Sequence, residues 1–175
     1  MPFAIGCDVG SQSLKVVVLD PSGEVLAAAG APYRMIHQHS GWADQEPGGY
    51  ITAMARAVRE AVTLAQIDPA EVVAIGLASQ VDGVVPVDRN LDPLRDAIIW
   101  LDRRAVAEAE QLRRCVGAEA TFERTGLNID ATHTGPKIMW LRSNEPEIYA
   151  RAHAWPSVGG FLLGWLTGVI AQDHA

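Results

Sequence analysis

Cysteine is scarce: Cys7 and Cys115 are the only two among 175 residues. They have no metal-ligand spacing and form no disulfide framework, so two reduced, half-buried thiols of a cytoplasmic protein are expected. Blocks of Lys or Arg are missing too. With 14 basic against 21 acidic residues the net charge is −7, which argues against a nucleic-acid partner and is compatible with a small-molecule enzyme. The five histidines, His37, His39, His133, His153 and His174, show no metal spacing; ordinary surface or hydrogen-bonded roles are expected for them. The N-terminus has no basic region, long apolar core or small-residue cleavage site, so it does not read as a signal peptide. The strand-to-helix phosphate loop G-x-x-x-x-G-K-[ST] is absent. No internal repeat or low-complexity linker divides the chain.

What is present reads as globular: 49% of residues are apolar and 20% charged. A chain of this length forms one domain that buries about 70% of its unfolded surface. The stretch 154–171 carries no charge and approaches the length of a membrane span. Pro156, Ser157 and the glycines at 159, 160, 164 and 168 favour instead a buried helix under a sheet or at an interface with another domain, and no membrane partner is expected.

Strands rich in Val and Ile are expected at Phe3 to Cys7 and Leu14 to Leu19, and a third at Val25 to Ala31 after the Pro21-Ser22-Gly23 turn. Short turns between them imply an antiparallel meander. Tyr33 to Pro47 reads as a loop, and Gly49 to Ala65 as a helix with Ile51, Met54, Ala55, Val58, Val62 and Ala65 on one face. The apolar run Val72 to Ala78 suits a strand buried on both faces. Further short strands are expected at Val84 to Val87 and Ala97 to Trp100, and helices at 102–116, 137–144, 146–152 and 161–166. The class is α/β: a mixed sheet that begins with an antiparallel three-strand meander and is flanked by helices.

The residues richest in chemistry lie at the start. Ile5-Gly6-Cys7-Asp8-Val9-Gly10-Ser11-Gln12-Ser13 leads into Leu14-Lys15-Val16-Val17-Val18-Leu19. An apolar strand ends in a carboxylate, a turn of Gly and hydroxyl residues follows, and a second apolar strand begins. Such a hairpin aims backbone N–H groups of Gly10, Ser11, Gln12 and Ser13 at phosphate oxygens. Asp8 is placed to face a phosphate-bound Mg²⁺, which takes one or two carboxylates with water and phosphate oxygens. Lys15 reads equally as a phosphate contact and as a solvated strand-edge lysine. Trp100 and Trp140 read as packing indoles, and Trp42 as a loop residue at the border of a cleft.

This hairpin resembles the first phosphate motif of the FGGY carbohydrate kinases, two-lobed members of the actin-like, RNase H-like ATPase superfamily. Further segments are similar in the same order: Trp42-Ala43-Asp44-Gln45-Glu46-Pro47, Ile75 through Gln80-Val81-Asp82-Gly83, Trp100-Leu101-Asp102-Arg103-Arg104, Pro136-Lys137-Ile138-Met139-Trp140 with Glu145-Pro146-Glu147, and Leu166-Thr167-Gly168 with Asp173. The xylulokinase-type members are the nearest in pattern. The resemblance implies an actin-like fold, with residues 1–175 forming the N-terminal, substrate-side lobe and the C-terminal nucleotide lobe outside this chain. It implies ATP and Mg²⁺ as cofactors, and γ-phosphoryl transfer to a sugar hydroxyl, D-xylulose or a related ketose or polyol. Asp8 would hold the metal and phosphates, with Gly10, Ser11, Gln12, Ser13 and Lys15 around the nucleotide. Gln80, Val81 and Asp82 would line the sugar site, with Asp102 nearby; Gln and Asp side chains suit a polyol because they accept and donate hydrogen bonds. The general-base Asp is expected beyond residue 175, so these 175 residues alone should be inactive. A homodimer is compatible with the pattern.

Two departures stand out. Val81-Asp82 occupies the place of Met-His in xylulokinases, an acceptor for a cation-capable donor, and leaves the sugar open among pentuloses, hexuloses and polyols. Gly159-Gly160 replaces the frequent Lys-Asp. Two other readings stay open: a truncated, non-catalytic sugar-binding module, and another actin-like ATPase, against which the Trp-Leu-Asp-Arg-Arg and Gln-Val-Asp-Gly segments argue.

Overall fold

Alternation of apolar and small or polar residues builds the sheet on which everything else rests. The computed structural model describes residues 2–172. Strands β1 (Phe3–Val9), β2 (Ser13–Leu19) and β3 (Val25–Pro32) pair antiparallel in sequence, and β5 (Val72–Ser79) joins β1 in parallel, giving the order β3-β2-β1-β5. Two short strands, β4 (Asp44–Gln45) and β6 (Ala97–Ile98), make a second, antiparallel pair. The meander expected from the sequence is therefore present.

Register sorts side chains by face, because successive residues of a strand point to opposite sides. Ile5, Cys7 and Val9 lie opposite Val18, Val16 and Leu14, all buried. Helix α1 (Pro47–Ala65) packs on this face, chiefly over β2 and β3, through Tyr50, Ala53, Met54, Ala57 and Ala61. It starts with Pro47 in its first turn, where the missing N–H costs nothing, and stops at Gln66, left-handed at φ 54°. The other face carries small residues (Ala4, Gly6, Ala28, Gly30, Ala74, Gly76, Ala78) with Asp8 and Lys15 directly opposite each other at one end.

β5 departs from expectation. Its apolar run was to be buried on both faces, yet Val73 is 69% and Ile75 43% exposed. The reason is position: β5 is an edge strand of the described sheet, α1 lies chiefly over β2 and β3, and the helix packed most closely on β5 is the short α6 (Val158–Thr167). Val84 to Val87 forms isolated bridges to Ile98, Pro93 and Ala154 instead of a regular strand, though Val84, Val85 and Val87 are fully buried. The expected loop before Pro47 contains β4. Helix α2 (Val106–Val116) begins four residues late, because Asp102 and Arg104 are held in a turn by their own ion pair. Helix α3 (Ala118–Thr125), not expected, buries none of its residues and is bounded by Gly117 and Gly126, both at positive φ. Helices α4 (Thr134–Asn144) and α5 (Pro146–Arg151) match their expected segments within three residues.

Within the uncharged stretch 154–171 only the ten residues of α6 are helical, capped by Ser157 Oγ on the Gly160 N–H and closed by Gly168 at φ 75°. Among the described residues no helix is long and apolar enough to cross a membrane. Asp173, part of the last resembling segment, lies outside the described residues.

Candidate functional site

Parallel pairing of β1 and β5 ends both strands at the same edge of the sheet, where ligands of open α/β sheets gather. Asp8 lies beside Ala78 and Val9 beside Ser79, and the Gln80 N–H donates to the Val9 carbonyl at 2.8 Å. The Asp8 hairpin and the Gln80-Val81-Asp82 segment, 70 residues apart in sequence, thus leave the sheet side by side.

The hairpin turn is narrow. Gly10 N–H donates to Ser13 O at 3.1 Å, and the Tyr33 hydroxyl donates to the Gly10 carbonyl. Burial, and secondarily the Asp8 charge, pushes the Tyr33 phenol far up, so it stays a neutral donor. The Gly10 N–H, expected to face phosphate, closes the turn in this structure. Ser11 and Gln12 make no backbone N–H hydrogen bond among the described residues, so theirs remain available. Ser11 is fixed from behind: its carbonyl accepts from Gln45 Nε2 at 2.7 Å and its Oγ from Trp100 Nε1 at 2.8 Å. Trp100 was expected to pack; it is 39% exposed and serves as this hydrogen-bond donor. Asp8 and Lys15 are both exposed, as cross-strand neighbours of opposite charge.

Gln80 sits in a buried amide–phenol cluster. Tyr50 OH donates to Gln45 Oε1 at 2.6 Å, and Gln80 Nε2 donates to the same oxygen at 2.9 Å. Gln80 Oε1 is buried without a partner. Val81 is 65% exposed, and Asp82 adopts a left-handed backbone, φ 54°, uncommon for a residue with a side chain. These three residues line a groove of about 650 Å³ between the end of β5 and α6, closed on its far side by Gly159 and Leu163.

Behind Asp82 stands Lys137, fully buried, whose Nζ donates to the carbonyls of Asp82 (2.6 Å) and Thr132. Burial pulls this ammonium down from 10.5 to about 8, against the attraction of Asp102 and Asp82. The Asp82 carboxylate meets His133 Nδ1 at 3.0 Å.

Asp102 is not brought to the groove. It is fully buried, and its oxygens accept from Ala43 N–H (2.6 Å), Arg104 N–H (2.8 Å) and the Arg104 guanidinium (2.7 and 2.9 Å). Arg104 also reaches Asp44 at 2.6 Å, Arg95 bridges Asp44 to Glu145, and the Arg104 guanidinium lies 4.0 Å from the Trp42 ring centre and 5.1 Å from that of Trp140. Burial pulls Arg104 down, but its hydrogen bonds and charges from Asp102 and Asp44 win and hold it above its ordinary value. Burial pushes Asp44 up by more than the two guanidiniums pull it down. The geometry nonetheless favours ionised Asp44, because guanidinium N–H groups point at both of its oxygens and leave little room for a carboxyl proton. The network braces β4, the turn at 100–104 and α5, and Asp102 acts there as an anchor.

Gln45, Tyr50, Lys137 and His133 are supporting residues not singled out from sequence. Gln45 and Lys137 stood inside resembling segments; Tyr50 and His133 had no local signal.

An exposed strand-end carboxylate beside a tight hairpin, next to an amide- and carboxylate-lined groove on a β3-β2-β1-β5 sheet, is the layout of an actin-like ATPase domain. The chain belongs to the FGGY family of carbohydrate kinases: the model of that family's N-terminal domain matches residues 3–175. It is similar to the glycerol kinase of Thermococcus onnurineus, 29% identical over 99% of this chain and 36% of that protein, and to the xylulose kinase of Staphylococcus xylosus, 27% identical over 99% and 35%. The crystal structure of xylulose kinase from Rhodospirillum rubrum superposes with a TM-score of 0.90 at 25% identity, covering 98% of this chain and 35% of that one. The chain thus spans about a third of the length of the curated relatives it matches.

Proposed function

We propose that the complete protein is an ATP-dependent carbohydrate kinase that transfers the γ-phosphoryl group to a hydroxyl of a ketose or polyol, and that these 175 residues form its N-terminal, substrate-side lobe. The observation that supports this most is the side-by-side exit of the Asp8 hairpin and the Gln80–Asp82 segment from the parallel pair β1 and β5. Phosphoryl transfer needs two sites in contact, one for phosphates and one for the hydroxyl.

Asp8 fits a magnesium site of the kind that uses one carboxylate and otherwise water and phosphate oxygens. The ion, when bound, would neutralise charge on the phosphates. The free N–H groups of Ser11 and Gln12, and Lys15 across from Asp8, would orient those phosphates. Asp82 would accept from an acceptor hydroxyl, beside the rigid Gln80 amide. The proton acceptor for the attacking hydroxyl would be an Asp outside these 175 residues, so the 175-residue chain alone should release no ADP. A carboxylate at position 82 suits glycerol as well as xylulose, the compounds in the names of the two relatives above.

The test is Asp8→Asn in the complete gene product. ADP release should fall about 10²-fold or more, while acceptor affinity by calorimetry stays within about threefold. Retained turnover would contradict the role of Asp8.

A further inference from the structure

Two loops that meet at the groove are fastened by one buried cation. Lys137 Nζ holds the Asp82 carbonyl and the Thr132 carbonyl together. Asp130 Oδ1 accepts from the Thr132 N–H at 3.0 Å and from Arg103 at 2.9 Å, which fixes the start of the second loop. The product of this double restraint is a short contact, His133 Nδ1 to Asp82 Oδ1 at 3.0 Å. The two side chains are 26% and 30% exposed, open enough to meet a ligand at the groove mouth.

The pair has little structural use. Half-open ion pairs add little to stability. His133 stands in the cap position of α4 but its side chain makes no cap hydrogen bond. What the contact does is remove the freedom of a carboxylate about its terminal torsion, which is broad and roughly two-fold when unrestrained.

We propose that His133 is a positioning residue for the acceptor site: it holds Asp82 through Oδ1 so that Oδ2 is the oxygen presented to a sugar or polyol hydroxyl. The proposal rests on the kinase reading above and adds a specificity element to it. Ring nitrogen Nδ1 donates to the carboxylate, Asp82 keeps one oxygen for the ligand, and the left-handed backbone at Asp82 sets the direction in which that oxygen points.

Steady-state ADP release by the complete gene product, with glycerol and with D-xylulose as acceptors, tests it. His133→Phe keeps a ring and loses the donor; KM for the better acceptor should rise about tenfold, the loss expected for one charge-assisted hydrogen bond, while kcat falls less than about threefold. His133→Asn places an amide N–H near the former Nδ1 and should bring KM back within about threefold of the parent. In an Asp82→Ala background, His133→Phe should add less than about twofold. An unchanged KM in His133→Phe overturns the proposal and leaves the kinase reading standing. So does a His133→Asn variant as weak as His133→Phe, or an undiminished effect without Asp82. If neither these two nor any of a panel of further ketopentoses, ketohexoses and polyols stimulates ADP release or binds by calorimetry in the parent protein, the kinase reading and the proposal fall together.

Discussion

Arg104 donates to two buried carboxylates and lies against two indoles, so its removal has a defined consequence. In Arg104→Met, Asp44 and Asp102 lose their common cation while remaining about 1% or less exposed. Breaking a buried pair from one side costs about 3–5 kcal/mol, which a urea titration should show as a matching fall in unfolding free energy. Cys7 gives a pH-dependent counterpart. Its thiol is 3% exposed, and burial pushes it from 9.0 to about 11. A folded-state value above the unfolded one means that stability is complete below pH 9 and is lost as pH rises through 11. The parent should therefore lose up to about 3 kcal/mol relative to Cys7→Ala between pH 9 and 11, read from urea midpoints at each pH. At this scale the sequence was partly legible. Asp8 and Gln80 end apolar strands, a position visible in the pattern. The burial of Asp102 was not, because its partners Ala43 and Arg104 come together only once β4 and β6 pair.

Among the glycines, Gly159 of α6 leaves the least room for a side chain, against the end of β5. A Cβ added to Gly159 would fall 2.6 Å from Ser79 Oγ and 3.3 Å from Ser79 Cβ. The departure to Gly at 159 thus has a packing reason: a side chain there would run into the Ser79 side chain, next to Gln80. Gly159→Ala should cost about 1–2 kcal/mol as overpacking, and Ser79→Ala in the same chain should recover most of it, by urea or thermal unfolding. Period-2 alternation made β1 and β2 legible, and apolar spacing made α1 legible. The exposure of β5 is not legible, because an apolar run reports that two faces are apolar, and not whether another layer covers them. Helix α3 is not legible because none of its residues is buried, which leaves no apolar stripe.

Over the whole described molecule the sheet has two unlike faces. One is covered by α1 over β2 and β3; the other is lined largely by Gly and Ala beside Val17 and Leu19, with Asp8 and Lys15 at its end. The most direct test of the account is mass-spectrometric analysis of the products formed by the complete gene product from ATP, Mg²⁺ and either glycerol or D-xylulose. The account predicts a phosphorylated acceptor formed in equal amount with ADP. ATP consumption yielding only inorganic phosphate, or none at all with either acceptor while the acceptor still binds, would contradict it.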